Sequence, residues 1–253
     1  MMANGKLDVC YNVQSAVDSK NKMIVDFAVT NCAVDKNQLM PMVARAGEAL
    51  ETEALEAVAD VGYDSVQDIA DCMKHGDKVH VAGTDFDICL PSDSPTEKIE
   101  SHTKGRCVYF ADRNIVLCPM GKILYPKFYK KSKGMGVFAN YAACAACPCK
   151  CTTERYRRHQ LPMKESDFKK EYDDRDLSVQ QVRIAPDKEI IRQRKSIVEH
   201  PFGTIKRNMD AGYCLMKGLA HVNGEFSLIF LAYNLKRAIN IMGVGKLIED
   251  ISV

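Results

Sequence analysis

The sequence predicts a mixed α/β protein whose terminal helices cover a sheet. Three observations carry that class. Apolar residues alternate through 11–18 and 22–30 on either side of the turn DSKN. Two short apolar runs, 56–60 and 78–83, enclose a helical pattern, and long helical patterns return only after Pro186.

The hairpin comes first, YNVQSAVD and KMIVDFAVT, with Asp18 in its turn. DKNQLMPMVARAGEAL reads as a helix with Leu39, Val43, Ala46 and Leu50 on one face. Asn37 is its N-cap, and Pro41 falls in or near the tolerant first turn. EAVAD (56–60) is a short strand that ends at Gly62. Ser65 then caps a helix whose Val66, Ile69, Ala70 and Met73 share a face, and Gly76 stops it. KVHVAG (78–83) is another strand. Periodicity fails from 84 to 186, a stretch rich in Pro, Lys, Cys and Asp and too long for a plain loop. It reads as a cysteine-rich inserted subdomain between a first segment, 1–83, and a last one, 187–253. After Pro186, Asp187 caps a helix with a stripe of Ile190, Ile191, Ile197, Val198 and Ile205, which Pro201 is expected to kink or restart. GEFSLIFLAYNLKRAINIMG closes the order as a helix burying Leu228, Leu231, Leu235, Ile239 and Met242.

Composition narrows the class. The 253 residues are 46% hydrophobic and 27% charged, as in soluble globular proteins, and no run of about 18 apolar residues offers a membrane span. The start, MMANGKLDVCYNV, lacks the apolar core of a signal peptide, so the eleven cysteines are expected to be reduced in a cytoplasmic setting. The net charge of +2 is unevenly placed. Nine Lys or Arg lie between Lys122 and Arg158 against one acid, Glu154, interleaved with Tyr125, Phe128, Tyr129, Phe138, Tyr141 and Tyr156. Cations neutralise phosphates and rings stack on bases, so this window predicts nucleic-acid contact. The plain alternative is a solvated basic loop over a small aromatic core.

Two acids stand out. Asp60 closes a short apolar strand, where catalytic groups of α/β sheets gather, although an ordinary turn aspartate also belongs there. In RQRKSIVEHPFGTIKR, Arg192, Glu199 and Lys206 recur every seven residues, with Lys195 one turn before Glu199 and Arg207 beside Lys206. A carboxylate so placed could hold a divalent ion while Arg192, Lys195, Lys206 and Arg207 grip phosphate; a salt-bridged helix would look the same. Cys118, Cys144, Cys147 and Cys151 have the makings of a tetrahedral zinc site, with Cys149 as a spare. Metal would there supply folding energy that a coreless segment lacks. An iron–sulfur cluster or plain reduced thiols are the alternatives. Cys10, Cys32, Cys72, Cys89, Cys107 and Cys214 read as packing residues.

Taken in order, YNVQSAVDSKNKMIVDFAVTNCAVDKNQLMPM, AVADVGYDS, CPMG…CAACPCKCT and VEHPFGTIKRNM…GLAHVNGEFSLIFLAYNLKRAIN resemble the DDE transposases of bacterial insertion sequences, the group with a cysteine-bearing insertion. The resemblance implies an RNase H-like mixed sheet with flanking helices and phosphoryl transfer assisted by two Mg²⁺ ions. It also implies transposon ends and target DNA as partners, a homodimer, and a place at the nucleoid. Asp60 matches the family's second catalytic acid and Glu199 its last. Lys206 fits the surrounding pattern, Lys195 stands at an arginine position and Arg192 where a tyrosine would be. The first acid would lie on a strand before the hairpin, but only ten residues precede Tyr11, and Asp8 lacks the expected motif. The expectation is therefore a domain lacking its first strand, with impaired metal-dependent DNA cleavage and transfer. A non-catalytic DNA-binding protein and a metal-dependent nuclease are the rival readings.

Overall fold

The computed structural model describes residues 2–3, 6–7, 10–91, 106–148 and 151–251. In chain order the elements are β1 (Met2–Ala3), β2 (Lys6–Leu7), β3 (Asn12–Val17), β4 (Ile24–Thr30), α1 (Leu39–Leu50), β5 (Glu56–Ala59), α2 (Val66–His75), β6 (Lys78–Val81) and β7 (Phe86–Pro91). There follow β8 (Val108–Phe110), β9 (Ile115–Leu117), β10 (Ile123–Lys130), β11 (Met135–Ala139), α3 (Tyr141–Ala145), β12 (Arg158–Pro162), α4 (Glu165–Phe168), β13 (Val179–Ile184), α5 (Lys188–Asn208), α6 (Leu219–Met242) and α7 (Val244–Ile251). They divide into two compact units. Unit 1 comprises 1–63, 80–82 and 187–253; unit 2 comprises 64–79 and 83–186.

Unit 1 is built on the β3–β4 hairpin, antiparallel with Val13 opposite Val29, and closed by the turn that Asp18 caps for the amides of Lys20 and Asn21. Ile24 of the hairpin packs with Ile205 of α5 and with Phe230 and Tyr233 of α6, and the Phe27 and Phe230 rings meet edge-on at 4.8 Å. Polar groups fix the register of α6. The Asn234 amide accepts from the Ile24 N–H at 2.9 Å and donates to its carbonyl at 2.8 Å, and Arg237 donates to the Asn21 carbonyl at 2.6 Å. The Tyr233 hydroxyl donates to the Lys22 carbonyl at 2.6 Å and lies 3.0 Å from His200 Nδ1.

That bonding overturns one expectation. Leu228, Leu231 and Leu235 are 70%, 64% and 49% exposed, because the opposite face, with Phe226, Phe230, Tyr233 and Asn234, is the one turned to the hairpin. Both faces of α6 are apolar, so periodicity could not choose between them; hydrogen bonding did. Two smaller corrections concern α1. Gln38, not Asn37, is its N-cap; Asn37 takes φ 64°, a left-handed conformation that asparagine tolerates. Leu50, at the last turn, is exposed. Asp187 caps α5 as expected, its Oδ1 accepting from the Glu189 and Ile190 amides. The helix then runs through Pro201 without a break, against the expected restart, since burial of Pro201 and Ile205 holds the later turns in line.

Unit 2 has a core of its own. Five antiparallel strands stand in the order β12-β11-β10-β9-β8, and β7 pairs with β13. Cys107, Val116, Cys118, Leu124 and Phe138 pack together, with Tyr109 and Phe168 against them. Helix α2, capped by Ser65, joins this unit through Gln67, whose side chain exchanges two 3.0 Å hydrogen bonds with the Tyr109 backbone. The expected coreless insertion is thus corrected. Strands β8 and β9 are only three residues long and β10 carries Pro126, so alternation does not register, and two of the core residues are cysteines acting as small hydrophobes.

His159 of β12 is held well below its usual range, at about 4, by burial and by the neighbouring Arg157 charge. A lowered folded-state pKa gives stability that is complete above about 6.5 and is lost as pH falls toward 4; at pH 5 the loss is about 2 kcal/mol. Urea midpoints should therefore drop between pH 7 and pH 5, and His159→Gln should flatten that dependence.

Candidate functional site

The candidate acids lie in unit 1. Strand β5 ends at Ala59 because Val61–Tyr63 turn into a single 3₁₀ turn, closed by the Tyr63 amide donating to the Asp60 carbonyl at 3.1 Å. Asp60 is left exposed at the strand's carboxyl end, where the sequence placed it. Its Oδ1 accepts from the Val61 N–H at 2.6 Å, and its Oδ2 lies 3.6 Å from the Arg194 guanidinium on α5. Arg194 is mostly covered, and its Nε has no hydrogen-bond partner. It is the cation that faces Asp60, and sequence reasoning passed over it in favour of its more regular neighbours.

Asp35 was missed too. It follows β4, and its Oδ1 accepts from Asn12 Nδ2 at 2.7 Å and from Gln14 Nε2 at 2.8 Å. Asn12 and Gln14 stand two apart on β3 and so share a face. Gln14 is buried and in turn accepts from the Tyr63 hydroxyl. A Cβ on Gly62 would come within 2.8 Å of Asp35 Oδ2, so a larger residue there would push the carboxylate aside. Burial, with the Asp35 and Asp60 charges beside it, pushes the Tyr63 phenol up to about 12, so it remains a neutral donor. The signal available in the sequence was Asn12, Gln14 and Asp35, polar residues that a hairpin and helix start would otherwise expose.

Glu199 is exposed on α5, with Lys195 Nζ 4.0 Å away. It stands five residues beyond Arg194, about 7.5 Å along the axis and about 140° round it. The turn of α5 that meets Asp60 therefore presents Arg194, not Glu199. Among the described residues no three His, Cys, Asp or Glu side chains form a ready ligand set. Of the four cations expected at phosphate, all exposed, Arg192 pairs with Glu189 at 2.9 Å, Lys195 lies by Glu199, Lys206 sits 5.9 Å over the Phe202 ring and Arg207 stands beside it. The start of α5 is tied down by His80, whose Nδ1 accepts the Asp187 N–H at 3.0 Å, leaving Nε2–H to face Glu56 of β5 at 3.0 Å.

The basic window lies in unit 2, and the structure sorts its rings. Phe138 is core; Tyr125 and Tyr129 donate to Asp174 and to the Met163 carbonyl, both at 2.7 Å. Tyr141 and Tyr156 meet edge-on at 5.1 Å, with Lys127 5.8 Å over Tyr141 and Arg155 5.1 Å over Tyr156. Lys127 and Arg155 are exposed there, Arg158 is exposed but pairs with Glu154 at 3.0 Å, and Lys131 and Lys133 are exposed in the β10–β11 turn. Such a face of cations and rings suits a phosphate backbone with stacked bases. Cys72, Cys89 and Cys107 are buried as packing residues, whereas Cys32 is exposed; Cys149 lies outside the described residues.

Residues 117–239 match the family model described as a transposase DDE domain, a segment that includes Glu199 and the cysteine cluster. No curated protein and no solved structure matches the chain. No helix among the described residues is long and apolar enough to cross a membrane.

Proposed function

We propose that this chain, whose residues 117–239 match a transposase DDE domain, is a transposase that engages DNA, and that strand cleavage and transfer through Asp60 and Glu199 are impaired in the arrangement described. The observation that carries this reading is the pairing of Asp60 with Arg194 while Glu199 stands elsewhere on α5. The family implies Mg²⁺, and carboxylate oxygens suit so hard an ion. As arranged, however, Asp60 already faces a guanidinium, and the two acids do not converge. These residues therefore do not fit a two-ion site. DNA engagement is supported by the exposed cations of α5 and by the Lys127–Tyr141–Tyr156–Arg155 face of unit 2. The RNase H-like fold remains part of the same proposal, supported by the family and by the placement of Asp60 after β5.

The test is a paired assay of DNA binding and of plasmid nicking with Mg²⁺ or Mn²⁺. Binding should weaken steeply with salt, and Asp60→Asn and Glu199→Gln should leave it within about twofold, since neither removes a cation. Nicking should not rise above the rate without protein. Metal-dependent nicking that falls about a hundredfold or more in Glu199→Gln would overturn the impaired reading and assign the acids to catalysis.

A further inference from the structure

We propose that Cys118, Cys144, Cys147 and Cys151 of unit 2 form a structural zinc site. The four thiols come from three places in the chain, the β9–β10 turn, helix α3 with the residue pair after it, and the stretch before β12, yet they line one cavity. Its volume of about 20 Å³ is room for one water-sized guest such as an ion. Cys118, Cys144 and Cys151 are not in disulfides.

The turn that presents Cys118 is shaped for a metal-bound sulfur. Gly121, at φ 69°, donates its amide to the Cys118 carbonyl at 2.9 Å, and the Lys122 N–H points back to Cys118 Sγ at 3.3 Å. Such a backbone N–H would donate to a metal-bound sulfur and orient it. Lys122, Arg155 and Arg157 line the same cavity, and Arg157 is anchored by donating to the Cys151 carbonyl at 3.0 Å. Four thiolates around a dication leave a surplus of negative charge, and these three cations offset it. Thiolate softness selects zinc over the hard Mg²⁺ that the family implies elsewhere.

The four sulfurs line the cavity without converging on one point, so among the described residues they do not make up a ready ligand set. The gap is small in torsional terms, since a change of one staggered χ1 well moves a thiol sulfur by about 3 Å, enough to reach Zn–S distances of about 2.3 Å. Unit 2 already has an apolar core, so the ion would pin α3 and the following stretch to the β9–β10 turn rather than nucleate the fold.

The full chain, purified without chelator, should carry about one zinc per molecule by atomic emission. Exchange with Co²⁺ should give intense visible ligand-field bands of a tetrahedral site and a thiolate charge-transfer band. Cys118→Ser and Cys144→Ser should each weaken metal affinity at least about tenfold, while Cys32→Ser, at an exposed position, should not. A folded wild-type chain, checked by circular dichroism, that retains no zinc and gives only the weak spectrum of octahedral Co²⁺ would overturn the site. Full metal retention in both cysteine variants would also overturn it, as would bound iron with the broad absorption of an iron–sulfur cluster. Should the variants fail to fold, the wild-type cobalt spectrum still decides.

Discussion

Phe138→Ala is expected to lower the unfolding free energy by about 3–5 kcal/mol, measured as a fall in the urea midpoint at constant slope. Phe138 is fully buried near the end of β11, with the Tyr109 ring at 5.4 Å and the Phe168 ring at 5.8 Å. Removing it costs both the transfer of a large ring and the cavity left behind, because Leu124, Val116, Cys107 and Cys118 are held by the strands around it and cannot collapse inward. Phe128→Ala, on the same strand system but 44% exposed, should cost under about 1 kcal/mol. Equal effects at the two positions would mean that unit 2 has no such core.

Asp35→Ala should cost about 3 kcal/mol, chiefly because the buried Gln14 amide loses a charged acceptor and is left with a desolvated donor. The damage should spread to the Asp60 turn, since Gln14 also accepts from Tyr63. Asp35→Asn, which keeps an acceptor without the charge, should lie between the two, as read from thermal midpoints of the three proteins. Loss of under about 0.5 kcal/mol in Asp35→Ala would show that water replaces the carboxylate and that the Asn12–Gln14–Asp35 set does not brace the turn.

These two residues also mark how far the sequence could be read. The hairpin, α2 with Ser65 and Gly76, and the Asp187 cap were legible because each is encoded within a few residues, by alternation or by a capping side chain. Asp60 after β5 was legible for the same reason. Phe138 was grouped with rings for nucleic acid because only tertiary pairing of β10, β11 and β12 reveals that it points inward. Asp35 was passed over because its partners lie 21 and 23 residues away. The face of α6 was misassigned since its aliphatic residues and its aromatic and amide residues occupy opposite sides, and hydrophobicity ranks the wrong side first. Glu199 and Asp60 were each placed correctly on their elements, but the rotation of α5 that puts Arg194 opposite Asp60 is set by packing that no local pattern records.

His80 gives this geometry a mechanical meaning. One imidazole is wedged between the strand leading to Asp60 and the first residue before α5, gripping Glu56 with one nitrogen and the Asp187 amide with the other. The helix is thereby pegged at its origin, so it cannot slide lengthwise past the strand without tearing out both bonds. The axial offset of about 7.5 Å between Arg194 and Glu199 is held with it, so rolling α5 in place would not bring the two acids together.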